Sequence, residues 1–190
     1  MISHKHKFIF VHIPKTAGRS IEKYLLNFNS MREMQPHHSV TDYIKRVKNF
    51  NSMFKFSFVR NPYERLLSEY FYMKRMKGCN CEFKDFKIEC NTFKKFVISD
   101  AVEKCCFKHH NTPQIEMANP KYMNFIGRFE NLQADFDTIC DKIGIPRKQL
   151  PHRNKTKHKH YTEYYDQHTK QIVAEKYAKD IEYFGYEFGE

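Results

Sequence analysis

Two kinds of segment alternate along the chain: short continuous apolar runs, and longer segments whose apolar residues recur at helical spacing. Residues 8–13 (FIFVHI) form a nearly continuous apolar run, which is typical of a buried parallel strand. A helical pattern follows over residues 20–28, and residues 54–59 (FKFSFV) predict a second strand. Asn61 and Pro62 then supply an N-cap and a first-turn proline, so a further helix is expected to begin there.

The rest of the chain continues this alternation. The further elements that the pattern predicts are short helices at 40–47 and 93–98, a strand at 125–129, a helix at 132–143 and a final helix at 168–183. Asn131 is expected to cap the helix at 132–143, and Gly144 is expected to end it. The alternation indicates an α/β fold. We interpret residues 1–190 as a single P-loop-like domain with a mostly parallel central sheet flanked by helices.

Composition and charge narrow the class of protein. The 190 residues, 41% of them hydrophobic, are enough for one packed core. No run of about 18 apolar residues is present, and the first residues lack the pattern of a secretory signal. We therefore expect a soluble, cytoplasmic protein without a membrane span. The formal net charge of +11 favours an anionic partner, without choosing among nucleotide, nucleic acid, acidic glycan and membrane surface.

Five of the six cysteines lie between positions 79 and 106, in a segment (residues 78–110) that we interpret as an insertion. Three states are open for them: a zinc site from Cys79, Cys81 and Cys90 with His109 or His110, a disulfide, and free structural thiols. The Cys-x-Cys spacing is not that of a usual zinc knuckle, and a cytoplasmic protein keeps its thiols reduced. Free thiols are therefore favoured, and no metal is assigned.

The segment from Pro14 to Ser20 (PKTAGRS) joins the first predicted strand to the first helix. A loop in this place points backbone N–H groups and the positive end of a helix at one spot, which makes an anion site. Lys15 adds a full charge, Gly18 permits close backbone approach, and the Ser20 hydroxyl can donate to an anionic oxygen. The segment lacks the ending of a Walker A loop, and it also fits an ordinary strand-to-helix turn.

Arg60 ends the second strand, where many P-loop nucleotide hydrolases carry a carboxylate for Mg²⁺. An arginine there suits a nucleotide that is bound without metal. Ser68 follows in the second turn of the helix. Six helical residues span about 9 Å, so Arg60 and Ser68 could hold one phosphate together. The alternative is that Arg60 pairs with Glu64 or Glu69 and that Ser68 faces solvent.

Together, HIPKTAGRS (12–20) and FVRNPYERLLSEY (58–70) resemble the PAPS-dependent carbohydrate sulfotransferases, specifically the group of uronosyl 2-O-sulfotransferases and chondroitin-type enzymes. IGRFENL (126–132) and IEYFGYEF (181–188) are similar too, so the resemblance covers most of the chain. It implies transfer of a sulfuryl group from 3′-phosphoadenosine 5′-phosphosulfate (PAPS) to a hydroxyl of a carbohydrate. The residues it assigns to the 5′-phosphosulfate are Lys15, Thr16, Ala17, Gly18, Arg19 and Ser20, and those it assigns to the 3′-phosphate are Arg60 and Ser68. Family members often have Gly and Thr where this chain has Ala17 and Arg19.

Sulfuryl transfer needs a base for the acceptor proton and a cation at the leaving phosphate, and we assign the second role to Lys15. Histidine is suited to the first role. The resemblance implies a catalytic histidine between the two motifs, where His37 and His38 lie, and we favour His38. Glu130 is a weaker alternative base, and His12 is expected to orient the loop.

The basic segment 147–160 resembles one that folds over the bound nucleotide in the same enzymes. The resemblance therefore implies Lys155 and Thr156 as cofactor contacts. The residues that this leaves for an acidic acceptor are Arg153, Lys157 and Lys159.

Two other functions compete with a sulfotransferase: a Mg²⁺-dependent P-loop-like kinase and a non-enzymatic nucleic-acid-binding protein, which the charge and the aromatic content would suit. The basic residues are scattered and no nucleic-acid-binding signature is present, so no nucleic-acid partner is expected.

Overall fold

A computed structural model describes residues 1–28, 37–75, 90–99, 108–151 and 158–190, with the backbone alone at Lys108. Its four strands are β1 (Ile2–Ser3), β2 (Phe8–Val11), β3 (Phe54–Val59) and β4 (Phe125–Arg128). They form one sheet in the order β1-β2-β3-β4, in which β1 is antiparallel to β2 and the other neighbours are parallel. The described helices are α1 (Gly18–Leu25), α2 (Val40–Arg46), α3 (Pro62–Arg75), α4 (Phe93–Ile98), α5 (Gln114–Ala118), α6 (Leu132–Ile143), α7 (Gln167–Lys176) and α8 (Ala178–Phe184).

The chain divides into two compact units. The first contains Met1–Arg60 and Gln114–Lys155, and the second contains Asn61–Pro113 and Thr156–Glu190. The first unit holds the whole sheet. The predicted α/β class, with a mostly parallel sheet flanked by helices, is confirmed, whereas the boundaries of the domain and of the insertion stay predictions.

Both faces of the sheet are covered in the first unit. Phe8, Phe10, Phe56 and Phe58 pack in one apolar cluster with residues of α1 and α6. Ile9 and Val11 pack in a second cluster with residues of α2. Because successive side chains of a strand point to opposite faces, a strand covered on both faces has to be apolar throughout. This explains the continuous apolar run at β2.

Parallel pairing places the site-bearing segments at one edge of the sheet. Val11 is in register with Ser57, and Val59 with Arg128. The Ser57 hydroxyl also donates to the carbonyl of Val11, at 2.7 Å. Since the carboxyl ends of parallel strands meet at the same edge, the segments that follow β2, β3 and β4 leave the sheet there.

The second unit has its own aromatic core. It contains Leu67 and Tyr70 of α3, Phe96 of α4 and Val173 of α7. Asn61 accepts a hydrogen bond from the N–H of Tyr63 at 3.1 Å, so the predicted cap of α3 is confirmed. No helix among the described residues has the length and apolar character needed to cross a membrane.

Two predicted features differ in the structure. The single helix expected at 168–183 is two helices, because Tyr177 leaves the helical conformation (φ −112°, ψ 25°). Its buried hydroxyl donates to Asn111 at 2.7 Å, a tertiary contact with no signal in the helical pattern. Asn131 does not cap α6 through its side chain; its amide donates to Asp135, which also accepts the N–H of Arg128.

The other predicted elements agree with the structure to within a few residues, and β1 and α5 were not predicted. They span only two and five residues, so neither carries a readable period.

Cys90 and Cys140 are both buried, and Cys140 is a free thiol. The Cys90 sulfur lies 3.2 Å from the hydroxyl of Ser99. The other four cysteines lie outside the described residues, so the choice among zinc, disulfide and free thiols stays open for them.

Candidate functional site

The segment from Pro14 to Ser20, called the cradle below, has the backbone of an anion site. Lys15 and Ala17 are left-handed, with φ of 69° and 65°. Ala17 directly precedes the first helical residue, Gly18. A left-handed residue followed by a helical one points successive N–H groups to the same side, and these lie at the positive end of α1. The Thr16 hydroxyl donates to the carbonyl of Ile13 at 2.9 Å and closes the turn.

A buried imidazole supports the cradle from inside. A Cβ at Gly18 would overlap the ring of His12, so only glycine fits there. The Nδ1 of His12 lies 3.0 Å from a carboxylate oxygen of Glu22, and both residues are buried. The ring of His12 also stacks on Phe10, with 5.7 Å between centroids. The expectation that His12 orients the loop therefore has a structural basis in this pair.

Arg60 binds the cradle from the neighbouring strand. Its Nη1 donates to the carbonyl of Lys15 at 3.2 Å. Its guanidinium carbon lies 3.9 Å from the centroid of the Phe129 ring. The Gln114 side chain accepts the N–H of Arg60 at 2.9 Å and donates to its carbonyl at 2.8 Å. Two cationic side chains thus come from the carboxyl ends of adjacent parallel strands.

The two candidate bases have different surroundings. The Nδ1 of His37 lies 3.2 Å from the carbonyl of His12, and the two rings meet edge to face at 4.6 Å. The Nδ1 of His38 lies 3.5 Å from the carboxylate of Asp42. The hydroxyl of Ser39 donates to that carboxylate and, with the Ser39 N–H and His38, lowers the pKa of Asp42. His37 is therefore linked to the cradle through His12, and His38 to the first turn of α2.

Comparison with known proteins gives a family. Residues 1–187 match the sulfotransferase family. The chain belongs to the sulfotransferase family.

Two curated proteins are similar to this sulfotransferase-family chain. An uncharacterized protein of Archaeoglobus fulgidus is 34% identical over 103 residues, which cover 53% of this chain and 76% of that protein. Human carbohydrate sulfotransferase 9 is 24% identical over 215 residues, which cover 95% of this chain and 47% of that protein. This chain thus spans about half the length of the human relative. No solved structure gives a significant match.

The family supports a transferase that moves sulfuryl groups, and the resemblance stated from the two motifs is confirmed. The kinase and nucleic-acid-binding interpretations lose their support, because the family match covers nearly the whole chain. The left-handed Ala17 also gives a physical reason for the glycine that family members often have there, since glycine adopts this conformation without strain.

The remaining predicted site residues of this sulfotransferase-family protein differ in accessibility. Thr16 and Ser20 are buried, Arg19 is exposed and Ser68 is half-buried on α3. Because the Thr16 hydroxyl is bonded within the loop, contact with a nucleotide would use its N–H. Ser68 belongs to the second unit and Arg60 to the first, so their shared phosphate stays a prediction.

Four further residues were named from the sequence: two cofactor contacts, an alternative base and a possible partner of Arg60. Lys155 and Thr156 lie outside the described residues. Glu130 is exposed in the turn before α6. Glu69, one of the two carboxylates considered as a partner of Arg60, is buried with an oxygen 3.0 Å from Nδ1 of His110.

Sequence reasoning missed Glu22, Gln114 and Phe129. Glu22 adjoins the apolar stripe of α1, and a carboxylate next to such a stripe is a weak signal for a buried pair. Gln114 gave no signal, and Phe129 was named only as part of IGRFENL (126–132), because their contacts with Arg60 join positions 54 and 69 residues apart in the chain.

Proposed function

We propose that this protein transfers a sulfuryl group from PAPS to a hydroxyl of a carbohydrate. One observation carries the proposal: the cradle that follows β2 has left-handed residues at Lys15 and Ala17, and Arg60, directly after the neighbouring strand β3, donates to the carbonyl of Lys15. The donors fit an anionic nucleotide, because the cradle contains no carboxylate and the nearby Glu22 is engaged by His12.

The cradle and Arg60 would hold the two phosphate ends of the nucleotide. The N–H groups of residues 16–20 and the Ser20 hydroxyl suit the 5′ end, and Arg60 and Ser68 are the residues proposed for the 3′-phosphate. When bound, PAPS supplies an activated sulfuryl group. The Lys15 ammonium would stabilise the negative charge that grows on the leaving 5′-phosphate, without help from a metal ion. Lys155 and Thr156 are proposed as further cofactor contacts.

His37 and His38 are the proposed bases, and the contact of His37 with His12, next to the cradle, favours His37 over the His38 that we favoured from the sequence. A carbonyl only accepts hydrogen bonds, so the Nδ1 of His37 carries a proton when it bonds the carbonyl of His12. In the neutral ring, Nε2 then has the lone pair that takes the acceptor proton. We expect His37→Ala to lower kcat by about 10²–10⁴-fold. A larger loss in His38→Ala would reverse the assignment.

A carbohydrate acceptor is supported by the human relative, whose name gives it as a carbohydrate sulfotransferase. An acidic acceptor has less support, because two of the described basic residues of 147–160 form local ion pairs. Arg147 forms an ion pair with Asp141, and Lys159 with Glu163. Comparing transfer to a neutral glycan and to its uronate-containing counterpart tests this point, and preference for the neutral one would exclude the acidic acceptor.

The test of the cofactor is calorimetric binding of adenosine 3′,5′-bisphosphate in the presence of EDTA. Micromolar binding by the wild type is expected, with loss in Arg60→Ala and weakening in Lys15→Ala. Lys23→Ala is the matched control, because Lys23 is exposed on α1 and its loss changes the net charge equally. Binding that requires Mg²⁺, or equal affinity for ATP, would refute the proposal and favour a kinase.

A further inference from the structure

Arg60 is more strongly confined than a surface phosphate ligand. It is 7% exposed, and contacts reach it on its backbone, on the face of its guanidinium and at Nη1. Confinement matters for recognition, because a phosphate binds the edge of a guanidinium in the plane of the group. Whatever sets that plane also sets where the phosphate binds.

Two residues confine Arg60: Phe129 at the face of its guanidinium and Gln114 at its backbone. The guanidinium carbon of Arg60 lies over the Phe129 ring, 3.9 Å from its centroid, so the ring covers one face of the group. Gln114, with no exposed surface, fixes the backbone of Arg60 by donating one hydrogen bond to it and accepting another. Both residues belong to the same compact unit as Arg60 and the cradle.

We propose that Phe129 and Gln114 are positioning residues that orient Arg60 for the 3′-phosphate, and that through Arg60 they also hold the Lys15 carbonyl of the cradle. The inference rests on the proposed function, since it specifies how the nucleotide with a 3′-phosphate is selected. Neither residue is assigned a contact with the nucleotide. Their effect on binding therefore has to pass through Arg60.

The test compares the affinities for adenosine 3′,5′-bisphosphate and for adenosine 5′-monophosphate, which lacks the 3′-phosphate. Phe129→Leu removes the aromatic face, and we expect it to lower the ratio of the two affinities by about threefold to tenfold. Phe129→Tyr keeps the aromatic ring, so its ratio of the two affinities should stay within about twofold of the wild-type ratio. Phe125→Leu is the matched control. Phe125 is half-buried like Phe129, and it packs against the apolar cluster that contains Phe56 and Phe58.

The dependence on Arg60 is tested in a second background. In Arg60→Lys, which has no guanidinium to orient, Phe129→Leu should leave the affinity ratio unchanged. Gln114→Met keeps a side chain of similar length but removes both hydrogen bonds to the Arg60 backbone. It should lower the affinity ratio in the wild-type background. Because burial makes Gln114→Met prone to misfolding, the Phe129 variants decide the question.

The outcomes separate this inference from the proposed function. If the wild type binds the bisphosphate but Phe129→Leu keeps its affinity ratio, or loses it no more than Phe125→Leu does, the positioning role is wrong and the proposed function stands. If the wild type does not bind the bisphosphate, the proposed function fails and the positioning role fails with it.

Discussion

Replacing Gly18 by alanine tests how the cradle is built. The added methyl group would overlap the His12 ring, whose Nδ1 is bonded to Glu22 at 3.0 Å. The ring also packs against Phe10 and His37. It therefore cannot move aside without breaking a buried hydrogen bond, and the cradle cannot move without changing the start of α1.

The size of the effect follows from three contributions. Overpacking a dense interior costs about 1–3 kcal/mol. Losing a hydrogen bond to a carboxylate costs about 1.5–3 kcal/mol. The two costs do not add in full, because a ring that moves aside relieves the overpacking as it breaks the bond. Alanine is favoured over glycine in a helix by about 1 kcal/mol, so we expect the free energy of unfolding to fall by about 2–4 kcal/mol.

The assay is urea denaturation followed by circular dichroism, in the wild type and in a His12→Ala/Glu22→Gln background. The second background removes the ring and leaves no buried charge without its partner. There, Gly18→Ala should be neutral or raise the free energy of unfolding by up to about 1 kcal/mol, because only the helix preference remains. An equal loss in both backgrounds would refute the reasoning, since the His12 ring would then not be the obstacle.

Three further predictions concern single residues. Ala17→Gly should raise the free energy of unfolding by about 0.5–1 kcal/mol, because glycine removes the strain at φ 65°, and a decrease in urea denaturation would contradict this. Burial raises the pKa of Cys140 to about 11, so the stability advantage of the wild type over Cys140→Ala should narrow between pH 8 and 11, as the unfolded thiol ionises first. A constant difference in the free energy of unfolding over that range would show that folding does not raise the pKa of the Cys140 thiol. The pKa of Asp42 is lowered, chiefly by the hydroxyl of Ser39, so the wild type should lose its advantage over Asp42→Ala as the pH falls below about 4, measured by the same denaturation.

The central strands and helices could be predicted because each has its own hydrophobic period and residues at its ends that begin or end it. Residues 54–59, 93–98 and 132–143 were predicted with the bounds that the structure has. The error at the C-terminal helix has the opposite cause. The apolar period runs through residue 177, where the backbone leaves the helical conformation and the Tyr177 hydroxyl donates to Asn111, a residue distant in the chain.

The candidate site shows the same division. Lys15 and Arg60 could be proposed from the sequence because each ends or follows a strand at a fixed place in a motif. The preference for His38 over His37 had no physical basis at that stage, since both are adjacent histidines in a polar stretch. The carbonyl of His12 and the carboxylate of Asp42 distinguish them only in the folded chain.

Residue types at short spacings were enough to predict the α/β class and the sulfotransferase family, and to propose where the cradle lies. Only the folded chain shows which residues contact the proposed site: His12 with Glu22 beside Gly18, and Phe129 with Gln114 around Arg60. The first kind of information is local, since backbone preferences and hydrophobic periods act over a few residues. The second depends on parallel pairing, which brings segments more than 40 residues apart to one edge of the sheet and leaves no period in the sequence.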